Sequence, residues 1–301
     1  MNFLKRMNQV ADYIEEHLDE NINYNDLADI VCCTVYQFGR VFSYVVGISL
    51  SEYVRRRRLS QAALELQGGD GKVIDVAHKY GYGSPDAFAR AFAAMHGVTP
   101  KEARAKGAKL KLYPRITFHI SIRGDTSMEY RIEQKDAVQC AGIVKNFGKV
   151  TVNEDARHWK ERRHGIWLFW EHFLNHGENI VIRDKYKLYR APFWQVGFNK
   201  TLDNGDTLVS IGAEAKPGEA YPELALFEIP AHTWAVFTAK GTLNQKEHPI
   251  AQTMTRVFNE WLPSSGYELT KGFDLEVYGD GDTQSDDYVC ELWLPVRKSQ
   301  A

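Results

Sequence analysis

The first hundred residues place apolar side chains three or four positions apart, which is the period of an α-helix that packs on one side. This spacing predicts an amphipathic helix near the start of the chain, whose buried face carries Leu4, Met7, Val10, Ile14 and Leu18. Two pairs of shorter helices follow, and a long helix over residues 49–67 connects them. The first third of the chain is therefore predicted to be all-α.

A repeat with an offset of 50 residues relates the two helix pairs. Residues 38–42, FGRVF, recur as residues 88–92, FARAF, and Gly47 recurs as Gly97. Each copy predicts a helix, a tight turn and a second helix. Such units suit DNA because an α-helix fits the major groove and presents side chains to base edges. A generic all-α domain with duplicated helical hairpins is the alternative that the pattern leaves open.

The second copy also carries a family resemblance. Residues 81–104, GYGSPDAFARAFAAMHGVTPKEAR, resemble the signature of the AraC/XylS family of bacterial transcription regulators, and the likeness covers about residues 3–107. It implies a bilobal double helix-turn-helix domain that binds promoter DNA through recognition helices over residues 34–46 and 84–96. Arg55 is the arginine expected near phosphates, and the other candidates stand at positions where the family's recognition helices face DNA. The candidate DNA-binding residues are therefore Thr34, Tyr36, Arg40, Arg55, Ser84, Pro85, Asp86 and Arg90.

After residue 111 the pattern changes to the alternation of β-strands, and all seven tryptophans lie beyond residue 150. The order strand, strand, helix, strand, strand is predicted twice. The predicted ranges are strands within 129–144, a helix at 156–176, strands at 192–198 and 207–213, strands within 224–240, a helix at 249–262, and strands at 273–278 and 288–296. Two such units predict an antiparallel sheet with both helices on one side and a concavity on the other.

The length of 301 residues suits two domains of different class. The predicted boundaries are an all-α bilobal DNA-binding domain over residues 1–108, a linker over 109–126 and an α+β domain with an antiparallel sheet over 127–298.

The second domain resembles the GyrI-like effector-binding domains, including the one that follows the DNA-binding domain of the regulator Rob. The likeness rests on PFWQVGF, LALFEIPAHTWAVFTAKG, FDLEVYGDG and ELWLPV within about residues 112–298. It implies a multidrug-type sensor that holds an amphipathic or cationic small molecule in an aromatic cleft.

Local chemistry agrees with a cation site. In residues 273–278 the apolar side chains alternate to one face, which puts Glu276 and Tyr278 on the other. A desolvated carboxylate among aromatic rings favours a lipophilic cation. The candidate walls, with Glu214 as a second acid, are Trp167, Trp170, Tyr189, Phe193, Trp194, Tyr221, Trp234 and Trp293. The alternatives are ordinary core packing for each aromatic residue and an exposed strand carboxylate for Glu276.

The formal net charge of −2 conceals two halves of opposite sign. Residues 1–111 contain 15 basic and 13 acidic side chains, which leaves 22 basic and 26 acidic ones for the rest. Basic residues concentrate at Arg40 and in the run 55–58. This predicts a local DNA-binding face in which about two of the four arginines reach phosphates. A solvated helix face is the alternative for that run.

Other motifs indicate neither a metal nor a cofactor. His172 and His176 stand four apart but lack a third ligand and the HExxH glutamate. The aspartates of residues 280–287 do not fit a calcium loop and suit a hairpin turn. The four cysteines form no CxxC pair. The sequence has neither an apolar run long enough to span a membrane nor a signal peptide, so we expect a cytoplasmic protein.

These observations predict a bacterial one-component transcription regulator of the AraC type rather than an enzyme. Activation is the expected role, and repression is the alternative that the sequence leaves open. Its expected partners are double-stranded promoter DNA, a small-molecule effector and RNA polymerase, and two helix-turn-helix units in one chain allow it to bind DNA as a monomer. Two alternatives remain for the second domain. It could be a hydrolase that uses Glu276 and Tyr278, or a module that docks a protein.

Overall fold

The structure, a computed structural model, contains a helical N-terminal domain and a C-terminal domain built on one antiparallel sheet. It describes residues 3–69, 71–105, 107–119, 127–149, 156–175, 177–190, 193–243, 248–270 and 272–299. The predicted fold classes of both halves are confirmed.

The helical domain has two lobes joined by one long helix. Its helices are α1 (Phe3–Glu16), α2 (Tyr24–Ile30), α3 (Val35–Val46), α4 (Leu50–Gly68), α5 (Val73–Lys79) and α6 (Pro85–His96), followed by a 3₁₀ turn at Glu102–Arg104. The N-terminal half of α4 packs in the core formed with α1, α2 and α3, and its C-terminal half packs in the core formed with α5 and α6. The predicted bilobal arrangement is therefore present.

Both copies of the repeat begin and end their second helix in the same way. The Thr34 side chain accepts a hydrogen bond from the Gln37 amide at 3.2 Å at the start of α3, and Ser84 does the same for Ala87 at the start of α6. Both helices end at a left-handed glycine, Gly47 or Gly97. The 50-residue offset thus corresponds to a structural repeat.

The start of the predicted linker packs on the helical domain. Residues 107–119 run without helix or strand along both lobes. The Tyr113 amide donates to the Ser60 hydroxyl at 3.0 Å, and the Phe118 amide donates to the Asn8 side chain at 2.9 Å. Residues 120–126 of the predicted linker lie outside the described residues.

The second domain is built on a sheet of nine antiparallel strands among the described residues. The strands are β1 (Tyr130–Lys135), β2 (Val138–Lys149), β3 (Gln195–Thr201), β4 (Asp206–Glu214), β5 (Ala225–Ile229), β6 (His232–Lys240), β7 (Tyr267–Leu269), β8 (Phe273–Tyr278) and β9 (Val289–Lys298). Their order is β1-β6-β9-β8-β3-β4-β2-β5, with β7 on β9. The eight predicted strands are present, and β7 was not predicted. Of these described strands, only β3 with β4 and β8 with β9 pair as sequential neighbours, because β1 pairs with β6 and β2 with β5.

Both long helices of this domain lie on one face of the sheet. They are α7 (Ala156–Asn175), followed by α8 (Glu178–Ile180) and a π-helical turn, and α9 (Pro249–Arg256), which continues as a π-helical turn to Trp261. Trp170 of α7 packs against clusters that contain side chains of α9 and of β4. The prediction of two helices on one side is confirmed.

The opposite face of the sheet is a packed core. Trp234 and Trp293 are fully buried there, with Phe193, Phe198 and Leu275 around them. The prediction of a concavity on the helix-free face is therefore wrong, because these side chains fill it.

Candidate functional site

Glu276 and Tyr278 lie on the helix-bearing face of the sheet, between α7 and α9. The Tyr278 hydroxyl donates to Glu276 Oε2 at 2.8 Å. The Tyr278 ring lies 5.3 Å from the Trp170 ring on one side and 6.3 Å from the His248 ring on the other. The alternation in β8 therefore separated the two faces correctly. The region of the sheet between α7 and α9, with Glu276 and Tyr278 at its base, is called the cleft below.

Gly197 allows a tryptophan ring to pack closely on the sheet in this cleft. It lies opposite Glu276 in the pairing of β3 with β8. A Cβ atom at this position would lie 2.4 Å from Cζ2 of Trp170. The missing side chain thus lets the indole of Trp170 lie directly on the sheet beside Glu276.

The cleft holds a cation that belongs to the helical domain. Arg40 of α3 reaches Asp274 Oδ1 through Nη1 and Glu276 Oε1 through Nη2, both at 2.8 Å. The Arg40, Asp274 and Glu276 side chains are only 13%, 4% and 12% exposed. Asn199 also donates to Asp274 Oδ1 at 2.8 Å. One guanidinium therefore bridges two buried carboxylates across the domain boundary.

The charges in the cleft shift the pKa values of its members. Burial opposes the charged form of Arg40, but the attraction of Asp274, together with smaller contributions from Tyr44, Tyr36 and Glu276, outweighs it and holds the pKa of Arg40 well above its usual value. Burial raises the pKa of Tyr278, with Glu276 adding to the effect, and keeps the phenol protonated. Burial lowers the pKa of His248 and favours its neutral form. Arg40 is thus the fixed positive charge of the cleft.

More of α3 than Arg40 contacts the second domain. Gln37 Nε2 donates to the Phe273 carbonyl at 2.9 Å, and the Thr201 hydroxyl donates to the Thr34 hydroxyl at 3.1 Å. Val41 packs in the apolar cluster of α9 and β9. The first recognition helix is therefore buried against the sheet domain.

Tyr36 and Arg40 do not lie outside, as predicted, because the second domain covers them in this conformation; DNA contact by Thr34, Tyr36 and Arg40 remains a prediction. Tyr36 is buried, and Arg40 lies 5.8 Å from its ring. These side chains occupy the outer face of the helix-turn-helix unit, as the repeat indicated, but the second domain covers that face. A helical period distinguishes buried from outward positions within one domain and carries no information about a second domain that packs on it.

The second recognition helix has the opposite environment. Ser84, Pro85, Asp86 and Arg90 are all exposed on α6. Arg90 corresponds to Arg40 in the repeat, so the two equivalent arginines differ in exposure. DNA contact by these four residues remains a prediction.

The arginine run on α4 divides into surface and internal members. Arg55 is 42% exposed and binds Glu52 through two 2.8 Å contacts. Arg57 is buried with Glu15, and Arg58 donates to the Leu18 carbonyl at 2.9 Å. Arg55 therefore remains a candidate for a phosphate contact, while Arg57 and Arg58 join α4 to the region of α1.

Only part of the predicted aromatic wall surrounds Glu276. Trp170 lies there, whereas Trp167 is 56% exposed and stacks on His164. The remaining predicted positions lie away from Glu276. Trp194 is half-buried just before β3, Tyr189 and Tyr221 belong to the apolar cluster of α7 and β4, and Phe193, Trp234 and Trp293 belong to the core of the opposite face.

Glu214 is not the second acid of this cleft. It follows Ala213, which faces α7, so its side chain points to the other side of the sheet, where Arg190 lies 3.3 Å away. The second acid is Asp274, which the sequence analysis missed. The same alternation in β8 that selected Glu276 and Tyr278 also places Asp274 on their face and could have found it.

Among the described residues, no group of three or more histidine, cysteine, aspartate or glutamate side chains could hold a metal ion. His172 instead lies 3.2 Å from Glu178, and His176 is outside the described residues. No helix in the described part of the chain is long and apolar enough to cross a membrane.

Comparisons with known proteins match both domains. The family model of a helix-turn-helix domain matches residues 27–106, and that of a GyrI-like small molecule binding domain matches residues 192–297. The transcriptional activator AarP of Providencia stuartii is 38% identical over 94 residues, which cover 31% of this chain and 70% of AarP. The transcriptional regulator Rob of Salmonella typhimurium is 23% identical over 303 residues, which cover 95% of this chain and 96% of Rob.

A further relative is the uncharacterized regulator YbfP of Bacillus subtilis, which is 35% identical over 100 residues; these span 33% of this chain and 34% of YbfP. A helix-turn-helix domain followed by a small molecule binding domain defines a DNA-binding transcription regulator with a sensor domain. The chain belongs to the AraC-type family of such regulators and carries a GyrI-like domain at its C-terminal end, as Rob-like regulators do.

Proposed function

We propose that the cleft between α7 and α9 is the effector site and that it selects amphipathic cations. The observation that carries this proposal is the occupant already present, since Asp274 and Glu276 hold a guanidinium between them. Two buried carboxylates at one site are costly unless a cation compensates them. A small molecule that takes this place therefore needs a positive charge.

The walls of the cleft support an aromatic or otherwise planar ligand. Trp170 and Tyr278 meet edge to face beside Glu276, and His248 lies on the other side of Tyr278. A cation over such rings gains about 0.5–2 kcal/mol per contact, more when water is excluded. Charge and aromatic surface together favour a lipophilic cation over a small hydrated one.

The test uses rhodamine 6G, a fluorescent lipophilic cation, and fluorescein, an anionic dye on the same ring system. Binding is measured by fluorescence anisotropy in the Arg40→Ala protein, in which the cleft has lost its internal cation. Adding Glu276→Gln should weaken rhodamine 6G binding by about tenfold or more, because a charged partner is removed. The matched control is Glu228→Gln, which neutralises an exposed carboxylate on β5. Equal affinities of the two variants, or equal binding of both dyes, would refute the proposed site.

The helical domain supplies the DNA-binding activity, and the exposed side chains of α6 are its candidate contacts in the conformation described here. We further assign RNA polymerase as a partner and binding to DNA as a monomer. The first assignment draws support from AarP, which is named an activator. The second draws support from the two helix-turn-helix units within one chain. Footprinting and mass photometry of the DNA complex, with and without polymerase, test both.

The two alternatives for the second domain lead to different expectations. The hydrogen bond between Tyr278 and Glu276 is compatible with a hydrolase site. Turnover of a bound ester or amide would establish hydrolase activity. The docking alternative gains support from a contact within this chain, because α3 of the helical domain packs on the cleft as a partner protein would. The relatives compared above are named as regulators or activators, so regulation is the function that we assign.

A further inference from the structure

The cleft contains both Glu276, the proposed effector acid, and Arg40, a candidate DNA contact of α3. Arg40 ends at Asp274 and Glu276, and its neighbour Gln37 donates to the Phe273 carbonyl. A recognition helix reads bases with its outer face inserted into the major groove. That face of α3 cannot contact DNA while it lies on the sheet domain.

Removal of Arg40 from the cleft without replacement is unfavourable. The Asp274 and Glu276 side chains are 4% and 12% exposed, and both bind the same guanidinium. Loss of a partner from a buried ion pair leaves an uncompensated charge in a poorly solvated site. The closed arrangement, in which α3 packs on the sheet domain, is therefore stable by itself. A cation that takes the place of Arg40 removes the penalty for opening it.

The second copy of the repeat provides an internal comparison. Arg90 occupies on α6 the position that Arg40 occupies on α3, and it is exposed. The closed chain thus presents one of its two recognition helices and hides the other. A change that frees α3 converts a protein with one available recognition helix into one with two.

We infer that Arg40 is an internal competitor of the effector, so that a cationic ligand takes its place between Asp274 and Glu276 and thereby releases α3 for DNA. This inference rests on the proposed effector site and adds its regulation. Effector and DNA then strengthen each other's binding, because each favours the conformation in which Arg40 has left the cleft. No new contact between effector and DNA is required.

The first test compares rhodamine 6G affinity between Arg40→Ala and its repeat-matched control, Arg90→Ala. Removal of the competitor should tighten binding about 5- to 150-fold, the usual range of allosteric coupling, while Arg90→Ala should bind like the wild type. If Arg40→Ala binds the dye no more tightly than Arg90→Ala, the competition is overturned although the effector site stands. If no variant binds the dye, the effector site itself fails, and the inference falls with it.

A second variant weakens the closed arrangement and leaves Arg40 and its partners Asp274 and Glu276 unchanged. Thr201→Val removes the hydrogen bond from Thr201 to Thr34. It should tighten rhodamine 6G binding by about two- to tenfold, as expected for one hydrogen bond. Unchanged affinity would argue against a closed state that opposes the ligand.

The movement of α3 can be observed directly by hydrogen exchange on the full chain. Rhodamine 6G should increase exchange in α3 and at the Gly272 amide, which donates to Gln37 Oε1 at 3.3 Å, and should leave α6 unchanged. Arg40→Ala should show increased exchange without dye. Unchanged exchange of α3 under saturating dye would overturn the inference.

A further experiment selects DNA duplexes that bind the protein from a random pool. Each duplex is about 40 base pairs long, which is enough for two half-sites one helical turn apart. Selection with dye should enrich two half-sites, and selection without dye should enrich one. Identical selected sequences in both conditions would overturn the release of α3.

Discussion

Substitution of Gly197 provides the most direct check of the cleft geometry. Gly197→Ala places a methyl group 2.4 Å from Trp170 Cζ2, a distance that real Cβ atoms do not show. Trp170 cannot swing away freely, because its ring packs against Phe173 at 6.4 Å and Tyr278 at 5.3 Å. The strain must therefore be relieved by displacing the indole or by bending β3.

Two opposing effects determine the magnitude. Replacing glycine by alanine in a strand ordinarily stabilises by about 0.5–1 kcal/mol, because the unfolded chain loses freedom. Overpacking a well-packed site costs about 1–3 kcal/mol. The structure therefore predicts a net loss of up to about 2 kcal/mol, whereas an unobstructed position would show a gain.

Urea unfolding, monitored by tryptophan fluorescence, measures this difference. The matched control is Gly68→Ala at the end of α4, where a Cβ meets nothing within 4 Å, and it should stabilise slightly. The double variant Gly197→Ala with Trp170→Leu should recover part of the loss, because the two positions are in contact. A Gly197→Ala protein as stable as the Gly68→Ala protein would refute the placement of Trp170.

Three further predictions concern the helical domain. Arg57→Ala should destabilise it by about 3 kcal/mol in urea unfolding, because Glu15 then loses its cationic partner in a largely buried site and keeps, among the described residues, only the hydrogen bond from the Tyr53 hydroxyl. Arg55→Ala should cost no more than about 1 kcal/mol, and equal losses would contradict this division of the run. Burial lowers the pKa of His96, so the neutral side chain stabilises the fold above about pH 6.5 and this contribution is lost as the pH falls further. His96→Gln should therefore reduce the fall in melting temperature between neutral and mildly acidic pH. An unchanged fall would show that His96 does not contribute to the pH dependence. Arg90→Ala should weaken binding to the selected duplex by about 1–3 kcal/mol in gel-shift titrations at fixed salt, and full affinity would exclude Arg90 from base recognition.

Local patterns predicted most of the fold because the interactions that form it are local in sequence. The helical period, the caps at Thr34 and Ser84 and the left-handed glycines are each encoded within a few residues. Alternation in β8 likewise assigned Glu276 and Tyr278 to one face. These features required no knowledge of the rest of the chain.

The errors concern contacts between segments far apart in the sequence. Strand alternation places Trp234 and the helical period places Trp170 in amphipathic elements, but neither pattern shows which face of the sheet remains accessible. The 50-residue repeat treats Arg40 and Arg90 as equivalent, yet within the described part of the chain only Arg40 of the two binds a carboxylate, at a separation of 234 residues. Such pairing depends on the packing of two finished domains, which no local pattern records.

The segment over residues 107–119 holds the chain on the helical domain up to Phe118, and the first described residue of the second domain is Ser127. Eight residue steps join His119 to Ser127, so these two residues stay within about 28 Å of each other whenever the domains separate. On the inference drawn above, Arg40 therefore competes from within the same chain, at an effective concentration that dilution of the protein leaves unchanged. A soluble cation would have to outcompete it before α3 is freed. Such an arrangement would set a detection threshold, below which trace cations leave the regulator unchanged.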